Sequence, residues 1–150
     1  MFRYERRAYY HETDQMGVIH HSNYIKWMEE ARIALMDYLG FSYKKMEGLG
    51  VISPVTAIDL EYKNPTRFND TVLIDVKVSE YSGVKLTIEY EIKSKDDLTI
   101  KAIGHSKHCF LMNGRIVSLK RSLPEFNDAF EKYIEEDKVL KQYNKAYKTI

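Results

Sequence analysis

The chain has 150 residues, with 23 Lys and Arg against 22 Asp and Glu and a formal net charge of +1. That length suits one domain with a sizeable core, and the balanced charge gives no global field for nucleic acid or an anionic membrane. One cysteine, Cys109, permits no internal disulfide, and no apolar run reaches membrane-spanning length, so a cytoplasmic protein is expected.

Met1 to Tyr10 alternates with a period of two: Phe2, Tyr4, Ala8 and Tyr10 on one face, Arg3, Glu5, Arg7 and Tyr9 on the other. This predicts a strand rather than a signal peptide, with Tyr10 carried toward the core. A loop follows, containing Asp14, Gly17, His20 and His21. Beyond it Tyr24, Trp27, Met28, Ala31, Leu35 and Tyr38 recur three and four apart, the apolar stripe of a long helix covered by a sheet. Ser22 or Asn23 is placed to cap its first turn, and Gly40 to end it. Phe41 to Gly50 reads as irregular.

Val51 to Tyr62 reads as a second strand, with Ile58, Leu60 and Tyr62 alternating against Asp59 and Glu61 and Pro54 marking an edge or a bulge. After a loop over Lys63 to Asp70, strands are expected over Thr71 to Glu80, Val84 to Lys93 and Thr99 to Met112. Their turns are Tyr81-Ser82-Gly83 and Lys95-Asp96-Asp97, and Ala102, Gly104 and Ser106 leave room for a thick helix. Asn113-Gly114 signals a tight hairpin into a short strand over Ile116 to Leu119. Ser122 and Glu125 have the spacing of a capping box for a helix through about Tyr133, and a charged helical tail is expected over about 134–150. The pattern is that of one α+β domain over 1–150, a helix lying across a curved antiparallel sheet of five or six strands.

The loop carries the candidate chemistry. Asp14 precedes Gly17 by three residues and His21 by seven, at the mouth of a helix whose first amides lack partners and favour negative charge. A carboxylate beside such donors can activate an attacker on a carbonyl while the amides receive the oxyanion. The same spacing also fits a turn-capping Asp14 and solvated histidines.

Thr13-Asp14, Gly17-Val18-Ile19, His21, Asn23-Tyr24 and Trp27-Met28-Glu29-Glu30-Ala31-Arg32 together resemble the signature of hot-dog-fold acyl-CoA thioesterases. The likeness is to the 4-hydroxybenzoyl-CoA and YbgC-type groups, and extends through Glu61 to Asp70 and the Asn113-Gly114-Arg115 hairpin, roughly to Pro124. The resemblance implies hydrolysis of an acyl-CoA to the free acid and CoA without a cofactor. It implies Asp14 as base or nucleophile, the His21 N–H as carbonyl polariser, and Tyr10 with the His21 side chain as orienters of water or acid. Gly17, Asn23 and Tyr24 are candidate substrate contacts, with Arg67, Ser82 and Lys85 farther on. The family's basic cluster before the fourth strand is reduced here to Ser82-Gly83-Val84-Lys85, which leaves CoA and acyl carrier protein both open as carrier. A non-catalytic acyl-CoA-binding module on the same fold is the alternative of another class. The resemblance also implies a homodimer or homotetramer.

Other chemistries find little support in the sequence. The five histidines and Cys109 form no zinc spacing, so no metal is expected, and no Gly-x-Ser-x-Gly elbow occurs. Glu29 and Arg32 read as a helical pair, with Glu29 and Glu30 as reserve acids.

Overall fold

A computed structural model describes residues 1–148. Strand β1 (Phe2–Arg7) leads through a 3-10 turn at Tyr10–Glu12 and a loop into helix α1 (Ser22–Tyr38) and short helix α2 (Tyr43–Gly48). Strands β2 (Val51–Ile52), β3 (Val55–Tyr62), β4 (Thr71–Tyr81), β5 (Lys85–Ser94), β6 (Ile100–Cys109), β7 (Leu111–Met112) and β8 (Arg115–Ile116) follow. Helices α3 (Leu119–Ser122) and α4 (Pro124–Lys148) complete the described chain.

The main sheet is antiparallel with strand order β1-β4-β5-β6-β3, and β2, β7 and β8 form a second, smaller sheet. Alternation decides which face is covered. Val72, Ile74 and Val76 of β4 and Leu86, Ile88, Tyr90 and Ile92 of β5 are buried with Trp27, Met28, Ala31 and Leu35 of α1. A side chain at Gly104 of β6 would put Cβ 2.8 Å from the Met28 sulfur, so the small residue there lets the helix seat. Register shifts near Val78, Ile92 and Val55 mark bulges that bend the sheet around α1. This is the hot-dog arrangement.

Helix α1 ends where Gly40 predicts, because the Gly40 N–H donates to Asp37 O and the Phe41 N–H to Met36 O, the paired bonds of a Schellman motif. Asn113 and Gly114 have φ of 52° and 73°, as a two-residue hairpin of type I′ requires.

Several expectations are corrected. Tyr38 is 63% exposed and packs its ring on Phe2, while Met36 takes the buried position. Phe41 to Gly50 contains α2, because the Ser42 hydroxyl accepts from the Lys45 N–H and caps it. The expected strands at 51–62 and 99–112 each break where the chain passes between sheets, the first at Ser53-Pro54 and the second at Phe110. The return strand is Arg115–Ile116, not Ile116 to Leu119. Ser122 closes α3 instead of capping α4, which starts at Pro124, where a missing N–H costs nothing.

Helix α4 runs far past Tyr133. Phe126, Phe130 and Tyr133 bury themselves against the core, and the Tyr133 hydroxyl donates to Val76 O and accepts from the Phe2 N–H. From Lys138 to Ala146 every residue is exposed, so this part of the expected tail is a projecting helix. The last two residues of the expected tail lie outside the described residues.

Strand β3 is one of the two edges of the main sheet, opposite β1. Val55, Ile58 and Tyr62 are 47%, 41% and 47% exposed, so the apolar residues of the expected alternation are largely uncovered.

Candidate active site

The loop before α1 is a tight hairpin. Thr13 bridges Ile19, the Asp14 N–H donates to Val18 O at 2.8 Å, and the Gly17 N–H donates to Asp14 O at 3.1 Å. Gly17 sits at φ 76°, which the turn requires and a side chain would strain. Asp14 Oδ1 accepts from the Met16 N–H at 2.8 Å and the Val18 N–H at 3.4 Å. Its Oδ2 has no protein partner among the described residues, and the side chain is half-buried. Asp14 is therefore both turn cap and available carboxylate, the two readings being combined in different oxygens.

Helix α1 begins without the expected cap. His21 occupies the N-cap position with no side-chain capping bond, and the Ser22 N–H donates to His20 Nδ1 at 3.2 Å. Asn23 is buried, and its amide donates to Glu12 O at 2.9 Å and His20 O at 3.2 Å. The His21 N–H meets no acceptor among the described residues, and the His21 ring is exposed against Tyr62. A free amide at a helix start is a donor aimed at incoming negative charge.

The other expected residues are placed as follows. Tyr10 opens the 3-10 turn instead of ending β1, lies 75% exposed and contacts Phe68 edge-on, so the expected core-facing position is wrong. Tyr24 is buried with its hydroxyl donating to Thr66 at 3.1 Å, which makes it a support for the loop's neighbour rather than an open contact. Arg67 is exposed beside the loop, its backbone bridging Val18. Ser82 and Lys85 lie in the turn at the other end of β4, where the Ser82 hydroxyl accepts from the Lys85 N–H. Ten residue steps of β4 separate the two ends by roughly 30 Å, so one chain does not bring them to Asp14.

A residue missing from the sequence reading organises the loop. Glu12 is 4% exposed, and its carboxylate takes both Arg6 terminal nitrogens at 2.9 Å, the Trp27 indole N–H at 2.9 Å and the Tyr9 N–H at 2.8 Å. Its carbonyl takes the His20 N–H at 2.8 Å as well as Asn23. Burial alone would raise the Glu12 carboxyl, but the bonds from Tyr9, Arg6 and Trp27 outweigh it and hold the group below its ordinary value. Arg6 also reaches Glu30 at 2.9 Å, so one reserve acid is already engaged. The available hint was Trp27, since a buried indole N–H demands an acceptor.

A second polar group lies under α1. The Tyr90 hydroxyl and Ser106 Oγ are 2.8 Å apart, and Ser106 Oγ is 2.7 Å from His108 Nε2. His108 is 2% exposed and its Nδ1 has no hydrogen-bond partner among the described residues. Burial, with the nearby Arg32 charge, pushes His108 down to about 4, and the adjacent Ser53 and Pro54 backbone offsets little of this. Its folded form thus stays neutral where the unfolded chain, near 6.5, takes up a proton. Stability is therefore full above pH 6.5 and falls as the pH drops toward 4, by roughly 3 kcal/mol in all. Urea midpoints across that range should fall in wild type and stay flatter in His108→Phe.

Among the described residues no group of His, Cys, Asp and Glu is arranged to hold a metal, and no helix is long and apolar enough to cross a membrane.

The family model described as the thioesterase-like superfamily matches residues 10–134. YneP of Bacillus subtilis (strain 168), provisionally named for acyl-CoA thioesterase activity, is 36% identical over 124 residues, 82% of this chain and 90% of that one. The acyl-CoA thioester hydrolase YbgC of Escherichia coli O6:H1 is 28% identical over 97 residues, 65% of this chain and 72% of that one. In structure, the DHNA-CoA thioesterase of Staphylococcus aureus superposes with a TM-score of 0.84 at 33% identity, covering 91% of this chain and 92% of that one.

Proposed function

The chain belongs to the thioesterase-like superfamily, and on that premise we propose that it hydrolyses an acyl-CoA thioester to the free acid and CoA. The observation carrying this reading is the pairing, on one short loop, of an Asp14 oxygen without a protein partner and an uncommitted His21 N–H at a helix start. In the reaction the His21 N–H receives the thioester oxygen as it gains charge. Asp14 either takes a proton from attacking water or itself attacks the carbonyl to give an anhydride that water then opens. Either route breaks the C–S bond, sends a proton to the CoA thiolate and leaves the carboxylic acid. Glu12 holds the two partners in place by binding Arg6 and Trp27 through its carboxylate and His20 through its carbonyl.

Assembly as a homodimer completes the site in this reading. The exposed apolar β3 edge invites antiparallel pairing with a second copy, and the Tyr62 hydroxyl at its end donates to His21 O at 2.9 Å. Two-fold pairing there turns the partner's sheet end for end. The Ser82–Lys85 turn of one subunit then comes to the same end of the joint sheet as Asp14 and Arg67 of the other, where both can meet the nucleotide phosphates. The outer sheet face is occupied by ion pairs among Arg3, Asp75, Lys93, Glu91 and Lys77, which favours a dimer over a tetramer stacked through the sheet backs.

Release of free thiol from a panel of acyl-CoA and acyl carrier protein thioesters tests the activity and the carrier, and light scattering on the same sample tests the assembly. Turnover by a dimer is the expected outcome. Thermal stabilisation by acyl-CoA with no thiol release would instead identify a binding module, and a fully active monomer would remove the shared site.

A further inference from the structure

Two cavities open along one flank of helix α1, which Ile25, Met28, Glu29, Arg32, Ile33 and Met36 line. The larger, about 330 Å³, lies against α2 and the Val51–Pro54 segment; the smaller, about 70 Å³, has Tyr90, Ser106 and His108 in its wall. Glu29 and Arg32 border both. The lining is otherwise largely apolar.

Arg32 is out of place in such a wall. Its side chain is 16% exposed, yet its single ion pair among the described residues is to Glu29 at 3.9 Å, beyond hydrogen-bond length, and Glu29 is 63% exposed. None of its five donors is engaged by a protein acceptor among the described residues, and its nitrogens keep contact with solvent at the cavity, so the guanidinium is open to an acceptor carried by a ligand. The nearby polar wall offers it no relief, because the Ser106 hydroxyl is already shared between Tyr90 and His108. What Arg32 lacks is an acceptor within hydrogen-bond length.

We propose that Arg32 receives an acceptor oxygen carried on the acyl group, so that the enzyme prefers oxygenated acyl-CoAs to plain alkanoyl ones. The proposal rests on the thioesterase reading for the position of the thioester, which lies at the α1 N-terminus. Arg32 is ten residues beyond Ser22, about 15 Å along the axis, and a helical side chain leans back by most of a turn, leaving about 10 Å. An extended chain spans about 1.2 Å per bond, so the oxygen belongs about eight bonds from the thioester carbon. Glu29 and Glu47, the two acids at the larger cavity, are exposed to solvent, so either a carboxylate or a neutral hydroxyl or oxo group satisfies the guanidinium. The depressed proton affinity of His108, caused by burial first and by Arg32 second, shows that the guanidinium's field reaches the smaller cavity.

The test uses the full chain and three matched substrates: octanoyl-CoA, 8-hydroxyoctanoyl-CoA and the mono-CoA thioester of octanedioic acid. Wild type should favour at least one oxygenated substrate over octanoyl-CoA by about tenfold or more in kcat/KM, and Arg32→Met should bring that ratio near one. Preference for the dicarboxylic substrate alone assigns an anion site; preference for both assigns a general acceptor site. A wild-type ratio near one, or a ratio unchanged by Arg32→Met, overturns the proposal. So does a monomer in Arg32→Met by light scattering, which would make an acid of the second copy the missing partner. If no thioester is cleaved, the thioesterase reading fails separately. Calorimetry with octanedioate and 8-hydroxyoctanoate then decides the site: binding of either by wild type that Arg32→Met abolishes supports it, and no binding of either overturns it.

Discussion

An Asp14→Asn variant should fold normally and lose turnover by about two to four orders of magnitude, the usual scale for a lost general base. The two roles of Asp14 fall on different oxygens, which makes the substitution informative. Oδ1 accepts from the Met16 and Val18 N–H groups, and an asparagine carbonyl oxygen can take both bonds unchanged. Oδ2 has no protein partner among the described residues, and only this atom is replaced by an NH₂ unable to accept a proton or attack a carbonyl. The melting temperature should therefore stay within a few degrees of wild type while kcat collapses. Thiol release and thermal unfolding measured on one preparation separate this from a purely structural Asp14, for which any deficit would track the folded fraction. Near wild-type turnover by Asp14→Asn would remove it from the mechanism. Glu29 would then be the next acid to test, because Glu30 is committed to Arg6.

What could be read from the sequence was what repeats locally. The α1 stripe from Tyr24 to Leu35, the Gly40 stop and the Asn113-Gly114 turn each follow from spacing, and each stands in the fold. The errors arose where the decisive neighbour is distant in sequence. Tyr10 had strand parity, but the chain leaves β1 at Arg7 and turns, so parity stopped applying three residues earlier. The apolar residues of β3 alternate properly and still stay exposed, because α1 covers the middle of the sheet and β3 is one of its edges. Glu12 sits two residues before Asp14 in a stretch that reads as loop, and its partners Arg6 and Trp27 give it meaning only once β1 and α1 come together. Spacing pairs Arg32 with Glu29 along the helix. The 3.9 Å separation and the cavity beside it show how little that pair explains.

Replacing Glu12 with alanine should cost about 3–5 kcal/mol, the range for removing one partner of a buried ion pair. The magnitude follows from what is left behind. Arg6, 13% exposed, would keep as its ion-pair partner only Glu30, which is itself 37% exposed, besides its bond to the Arg7 carbonyl, while the Trp27 indole N–H and the Tyr9 N–H would lose their acceptors. Replacing Arg6 and Glu12 together with leucine removes the charges instead of orphaning one, so the double variant should recover part of the loss. Acid provides an independent check whose sign is fixed. The folded-state carboxyl is held below its unfolded value, so its contribution is complete above the ordinary carboxylate range and disappears as the pH falls through the folded value. Wild type should thus weaken in two stages, first as His108 is drawn toward protonation below pH 6.5 and then as Glu12 takes up its proton. Urea midpoints of Glu12→Ala should show the first stage and lack most of the second. If the variant matches wild type at neutral pH, Glu12 holds nothing together. If stability drops but kcat per folded molecule does not, the loop is positioned by the Glu12 backbone carbonyl alone, and the carboxylate serves only the fold.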